Sequence, residues 1–413
     1  MAFDVSSWFL EQLTLSSTAP KRVFTISGSD YSERVVKWPK FKRSWNAIRP
    51  TNLAINLVND DQGLNFLVDT PTSMTGSCDI RLGFTRGEYP YTVEHPYTVE
   101  YLYQHEDELI HLYAGTIEKA EFARGAVTLR LLDKMKAFTE RVVGSSDEPV
   151  VFSGANLLPS DVAWTLCTCY GGLSNVQSDS NPDIEWSSFT AWAAVFSGDN
   201  VLVGAQYEGM KVVEALKRLS MYTDSAIFEE HGQVEFRRFS SIDSKTTVLD
   251  DDSIIDLSLT VDDAAIVNDQ HVYADYSVGS DSWALDVISQ DSASIEDYGY
   301  RENVLKDTSI WYINSVSAIN VASKRTGDLS SPVKRFTIDS MLLPITRSLG
   351  ETIRISDSFL GVTSSTGWRM MEFEVNVETG RTRVTADGSQ LGYPFILDDA
   401  VYGLLDKSYN QLL

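Results

Sequence analysis

Four groups of residues in this 413-residue chain are of types that could do chemistry. The first is His105-Glu106-Asp107-Glu108-Leu109-Ile110-His111. Two histidines around carboxylates suggest zinc, but a zinc-protease helix needs its second histidine four positions after the first, and that position is Leu109. A lead into a strand is the better reading. The second group is Cys167-Thr168-Cys169. Thiolates are soft metal ligands, yet on a helix positions i and i+2 point about 200° apart, and Cys78 is the only other thiol. The third comprises Asp250-Asp251-Asp252, Asp262-Asp263 and Asp398-Asp399, which lack the D-x-D-x-D-G spacing of a calcium loop and read as solvated turns. The fourth is Tyr31–Pro50, where Arg34, Lys37, Lys40, Lys42, Arg43 and Arg49 alternate with Trp38, Phe41 and Trp45. Basic and aromatic residues so interleaved suit nucleic acid. A net charge of −24 opposes that. A basic docking surface for acidic neighbours in an assembly fits better, ahead of a solvated loop with extended side chains.

No nucleophile elbow, phosphate-binding loop or dinucleotide fingerprint is present. No catalytic, cofactor-binding or metal site is therefore expected, and no cofactor. A hydrolase with dispersed carboxylates is the enzymatic alternative, since a glycosidase needs only two, about 5–10 Å apart.

The elements that would carry these residues are mostly short strands. Candidates are Arg22–Ile26, Leu53–Val58, Cys78–Phe84 and Val99–Tyr103, separated by turns at Asp60–Gly63 and Thr70–Thr72. Pro90-Tyr-Thr-Val-Glu94 recurs as Pro96-Tyr-Thr-Val-Glu100, which reads as a local loop duplication. The period then changes. Ser160 is placed to cap a helix through Cys169 that Gly171-Gly172 stops, and Ser187 or Ser188 a second through Phe196. Met210–Tyr222 sets Val212, Ala215, Leu216, Leu219 and Tyr222 on one helical face. Ala226–Phe236 reads as a hairpin turning at His231-Gly232. Strand patterns resume at Ile254–Leu259, Gln270–Tyr276, Val333–Ile338 and Thr352–Ile355, with a helix near Val316–Thr326.

One pattern occurs twice. Tyr113–Phe122, a turn at Arg124-Gly125 and Val127–Leu131 match Trp368–Val377, a turn at Thr379-Gly380 and Thr382–Thr385. Each is a strand, a glycine turn and a strand with one apolar face, and each closes a β-rich stretch of about 120 residues. Alternation assigns Phe122, Val127, Leu129 and Leu131 to one buried face and Phe373, Val375, Val377 and Val384 to the other. The expected fold class is α+β, mainly β, with two tube-type β-barrels and an α+β insertion between them. The expected division is an arm at 1–20, a barrel at 21–145, the insertion at 146–250, a second barrel at 251–392 and a docking arm at 393–413. Seven large apolar residues between Phe395 and Leu405 make burial of that last arm worthwhile, at roughly 1.5–3 kcal/mol each.

At 43% hydrophobic residues the chain can build real cores. Its start lacks a signal-peptide pattern, no apolar run reaches a membrane span of about 18 residues, and three cysteines make no disulfide framework. Synthesis in the cytosol without membrane insertion is expected. The acidity means either plain solubility or a wall past which a polyanion slides without adhering.

The order of parts resembles the tail-hub, or baseplate-hub, proteins of long-tailed phages and gene transfer agents. The resemblance is carried by Asp30–Val36, Tyr113–Ile117, Val127–Asp133, Gly209–Leu219, Gly232–Phe236, Asp297–Arg301, Gly350–Ile355 and Phe395–Asp406. It implies a non-enzymatic virion protein at the phage tail tip, a homotrimer whose two barrels per subunit make a pseudo-sixfold ring. It also implies contact with the distal tail protein, the tape-measure protein and a tip or central fibre protein, with DNA passing only transiently through the lumen. A distal tail ring protein or a glycan-contacting receptor-binding protein is the alternative.

Overall fold

The computed structural model describes residues 20–44, 48, 51–69, 77–85, 107–154, 156–238, 247–341, 343–358, 360, 362 and 367–387. Alternating apolar residues make most of it strand. In chain order the strands are β1 (Lys21–Ile26), β2 (Ser29–Asp30), β3 (Val35–Lys37), β4 (Lys40–Ser44), β5 (Asn52–Val58), β6 (Ser77–Thr85), β7 (Asp107–Ala123) and β8 (Ala126–Leu132). Then come β9 (Val142–Val143), β10 (Val150–Phe152), β11 (Val203–Tyr207), β12 (Met210–Lys211), β13 (Ser225–Glu230), β14 (Gln233–Arg238), β15 (Thr247–Leu249) and β16 (Ile254–Asp262). The last are β17 (Asp269–Ser277), β18 (Ser282–Gln290), β19 (Glu302–Leu305), β20 (Ile310–Tyr312), β21 (Val333–Ser340), β22 (Thr352–Ile355), β23 (Gly367–Asn376) and β24 (Arg381–Asp387).

Two seven-stranded sheets dominate. The first runs β2-β1-β6-β7-β8-β5-β3; the second runs β15-β22-β23-β24-β21-β16, with β4 added on β23. The fold is thus α+β and mainly β, with two barrel-type sheets and an α+β part. The repeated hairpins are β7–β8 and β23–β24, one in each sheet. Val127, Leu129, Leu131, Phe373, Val375, Val377 and Val384 are buried as alternation requires. Phe122 departs from the expectation at 40% exposure. It stands opposite Val127, near the hairpin tip and past a bulge at Ile117–Lys119, so little of the core reaches it.

A further six-stranded sheet, β10-β11-β20-β17-β18 with β19 on β17, packs against helix Ser315–Leu329, and helices Pro159–Thr165, Trp186–Asp199 and Val212–Thr223 join the same hydrophobic core. The helix Val212–Thr223 buries Val212, Ala215, Leu216, Leu219 and Tyr222, the face set by helical spacing. The first helix begins earlier than Ser160. Pro159 occupies its first turn and the Asp161 carboxylate accepts the Leu158 amide at 3.0 Å, so Leu158 holds the cap position. The expected second barrel at 251–392 also differs in composition. Residues 269–312 supply β17 to β20 of the middle sheet, and Ala318, Val321 and Ala322 pack with Val272, Ala274, Leu216 and Leu219. Period-2 alternation looks the same in both sheets, so pattern alone could not separate them.

Within the segment read as a basic docking surface, Arg34, Trp38, Phe41, Lys42 and Arg43 are engaged inside the chain instead. β4 crosses from the first β unit into the second sheet, pairing Lys40–Ser44 antiparallel with Asn376–Glu372. Phe41 is 2% exposed and Trp38 is buried. The Trp38 amide donates to the Glu378 carboxylate at 2.8 Å, and Arg22 of β1 donates to the Glu378 carbonyl at 3.0 Å. Lys42 pairs with Glu372 at 2.7 Å, and Arg34 makes a two-pronged pair with Asp61. Trp45 and Arg49 lie outside the described residues, as do the tandem Tyr-Thr-Val repeat, nearly all of 1–20 and the arm at 393–413. The two sheets share one hydrophobic core in which Phe41 sits with Leu53, Leu129, Phe373 and Val375. Phe41→Ala should therefore destabilise both β units together. A loss of about 3–5 kcal/mol in one cooperative urea transition is the expected result.

Candidate functional site

The residue groups singled out by type do not converge. Residues 107–111 are strand, and His105 lies outside the described residues. His111 instead faces Asp79 at 3.5 Å and lies edge-on to His231, ring centres 6.5 Å apart. Cys167 is fully buried while Cys169 is exposed, on a π-helical turn Leu166–Tyr170, so the two thiols face apart. Burial raises the Cys167 thiol, and raises Cys78 on β6 to about 12. Asp250 and Asp262 accept from the backbone of Ser253 and Ala264, and Asp251 accepts from Ser358. No group of three or more potential ligands is placed to hold a metal among the described residues.

The site that does assemble is a buried ionic junction built on the β13–β14 hairpin. Its strands pair from Ser225↔Arg238 to Glu230↔Gln233. A two-residue turn at His231 and Gly232, both at positive φ (55° and 79°), closes it. The hairpin is buried on both faces. Ala226 and Phe228 join the core of the two β sheets, whereas Ile227, Val234 and Phe236 join the core of the α+β part. Charged residues share the first of these faces. Glu230 stands opposite Gln233, Phe228 opposite Glu235 and Ala226 opposite Arg237.

Arg43 reaches this face from β4. It donates to Glu230 at 3.2 Å and to the Leu112 carbonyl of β7 at 2.8 Å, lies 3.8 Å from Glu229, and packs over the Phe41 ring. One guanidinium thus touches the hairpin and the first sheet while its own strand belongs to the second. Arg237 binds Glu235 at 2.7 Å, Glu351 at 3.1 Å and the Leu349 carbonyl at 3.3 Å, with Glu230 at 3.7 Å. Ser348 donates its hydroxyl to Glu230 and its amide to Glu351. Arg347 lies 3.8 Å from Glu351. Asp133, buried just past β8, accepts the amides of Thr51 at 2.6 Å and Met135 at 2.9 Å.

Burial governs the protonation of these groups. It raises Glu229 to about 8 and Glu230 to about 7, with Arg43 pulling both back. It raises Asp133 to about 6 against the Thr51 and Met135 hydrogen bonds. Burial and then Arg43 lower His231 to about 4, so its ring is neutral at pH 7. Glu235 is the exception: burial opposes its charge, but Arg237 outweighs that and lowers it. Nothing in this set is an open catalytic cleft. Its chemistry is that of a clamp.

Sequence reading found the hairpin and missed its charges. The hairpin reading assigns no role to Glu229-Glu230, and Arg43 reads as one cation in a basic run. The available signal was the clash between a period-2 strand and two adjacent carboxylates.

No protein-family model matches the sequence, and no curated protein matches it. Solved structures do resemble the chain. The 43 kDa tail protein of prophage MuSo2 from Shewanella oneidensis shares 14% identity at a TM-score of 0.51, over 90% of this chain and 99% of that one. The tail protein from Neisseria meningitidis MC58 shares 12% at a TM-score of 0.53, over 91% and 100%. The chain therefore has, over nearly its whole length, the fold seen in these tail proteins.

Arg43→Met should cost about 3–5 kcal/mol in urea unfolding, because it strands buried carboxylates. Adding Glu230→Gln should recover part of that loss. Lys42→Met, removing a half-exposed pair with Glu372, should change stability by no more than about 1 kcal/mol.

Proposed function

We propose that this chain is a structural, non-enzymatic component of a phage tail, acting as the hub that joins the sixfold tail tube to a threefold tip or central fibre. The observation that carries the reading is the pair of seven-stranded sheets, each containing one of two similar hairpins, in a chain whose fold resembles tail proteins over about nine-tenths of its length. Two barrel-type units per chain turn three copies into six similar positions. A homotrimer thereby meets sixfold symmetry on one side and threefold on the other.

In this reading the barrel units flank an α+β part, and the segments 1–20 and 393–413 are arms toward neighbours. Those neighbours are the distal tail protein, the tape-measure protein and the tip or central fibre protein. The −24 charge supports a lumen wall that repels passing DNA, where a basic wall would hold it through counterion release. No helix among the described residues is long and apolar enough to cross a membrane.

Imaging of purified tail tips, or light scattering on the assembled protein, tests the copy number. Three copies around one axis are expected. A ring of six full chains, or a single copy in the particle, would rule out the hub.

A further inference from the structure

We infer that the buried junction under the β13–β14 hairpin holds a proton on the Glu229 carboxyl, and that the hairpin's docking against both β sheets weakens when this proton leaves. Five carboxyls meet here, on Asp133, Glu229, Glu230, Glu235 and Glu351, against three guanidiniums, on Arg43, Arg237 and Arg347. All these residues are buried or nearly so, and excess negative charge in an interior is relieved by protonation.

Geometry selects Glu229 among the five. Glu230, Glu235 and Glu351 each accept at least one hydrogen bond from an arginine or Ser348, and Asp133 takes two amides. Among the described residues, Glu229 accepts only the Gly232 amide, on one oxygen. Its other oxygen is buried without a hydrogen bond, and Arg43 stands 3.8 Å away, beyond hydrogen-bonding reach. A carboxylate so placed is costly, whereas a carboxylic acid is tolerable. Among the described residues no second cation pairs with Glu229. The Tyr113 hydroxyl of β7 is buried with no hydrogen-bond partner among the described residues, and the His231 ring, set edge-on to His111, is kept neutral. Burial pushes Glu229 and Glu230 upward, in agreement with the geometry.

The sign follows from linkage. Both carboxyls hold protons more tightly folded than unfolded. Their contribution is fully present below the unfolded value near 4.5 and is lost as pH rises toward about 7 and 8. His231, lowered to about 4, acts oppositely below pH 6.5, and the buried thiols act only above about pH 9. From pH 6.5 to 8 the junction carboxyls therefore dominate, the opposing histidine contribution fading above pH 7.

The test is urea unfolding of the full chain at fixed ionic strength from pH 6.5 to 8. The unfolding constant should rise up to about tenfold per pH unit for each proton held. Glu229→Gln should remove most of that slope, Glu230→Gln a smaller part, and the exposed Glu140→Gln none. Proton release on unfolding the unaltered protein at pH 7 supplies a readout independent of any variant's folding. About one proton or more released per chain is expected. A flat wild-type profile, an unchanged slope in Glu229→Gln, or unfolding without proton release would overturn the inference.

Discussion

A guanidinium cannot be left unpaired inside a protein, and the rest of this structure is arranged around that rule. Arg43 is 8% exposed, and its partners come from separate parts of the chain: Glu229 and Glu230 on the hairpin and the Leu112 carbonyl in the first sheet. These contacts hold only if β4 lies along β23 with Phe41 inward, since strand alternation puts Phe41 and Arg43 on one face and Lys40, Lys42 and Ser44 on the other. The crossing of β4, the shared core of the two sheets and the double-sided burial of the hairpin are one arrangement seen from three sides. Buried pairs of this kind add little net stability over an apolar substitute. Removing one partner, by contrast, leaves a buried charge uncompensated and is strongly destabilising.

That geometry gives the assembly reading its physical content. A ring component must transmit load without its halves shearing apart. A strand donated across from one sheet to the other, anchored by Phe41 in the common core and by Lys42 at Glu372, opposes such shear. The Arg22 and Trp38 contacts to Glu378, at the turn of the second hairpin, tie the halves at another point. Each sheet contains one of the two similar hairpins, and the likeness in fold to tail proteins covers the middle α+β part as well.

Much of this was legible in the residues. The alternation of Asn52–Val58, with Leu53, Ile55 and Leu57 inward, and the apolar face of Val212–Thr223 follow directly from period. So do the two hairpins and the turn at His231-Gly232. Period says nothing about which sheet a strand joins. β17 and β18 look like barrel strands yet complete the middle sheet, because Val272 and Ala274 find the helix Ser315–Leu329 and not the barrel core. The junction was invisible for a related reason. Arg43, Glu230 and Arg237 are separated by up to 194 positions, and a charged residue in sequence is taken as solvated unless its partner is known. Phe122 shows the converse error: the pattern set its face correctly but not its distance from the core.

Native-state hydrogen exchange of the β4 ladder, residues 40–44, against β5 and β23 tests the central claim most directly. If β4 locks the two β units into one body, its amides open with the same free energy as Leu53–Leu57 and Phe373–Val375, equal to that of global unfolding. Exchange of the β4 amides through a separate, lower-energy opening, with β5 and β23 still protected, would contradict the account.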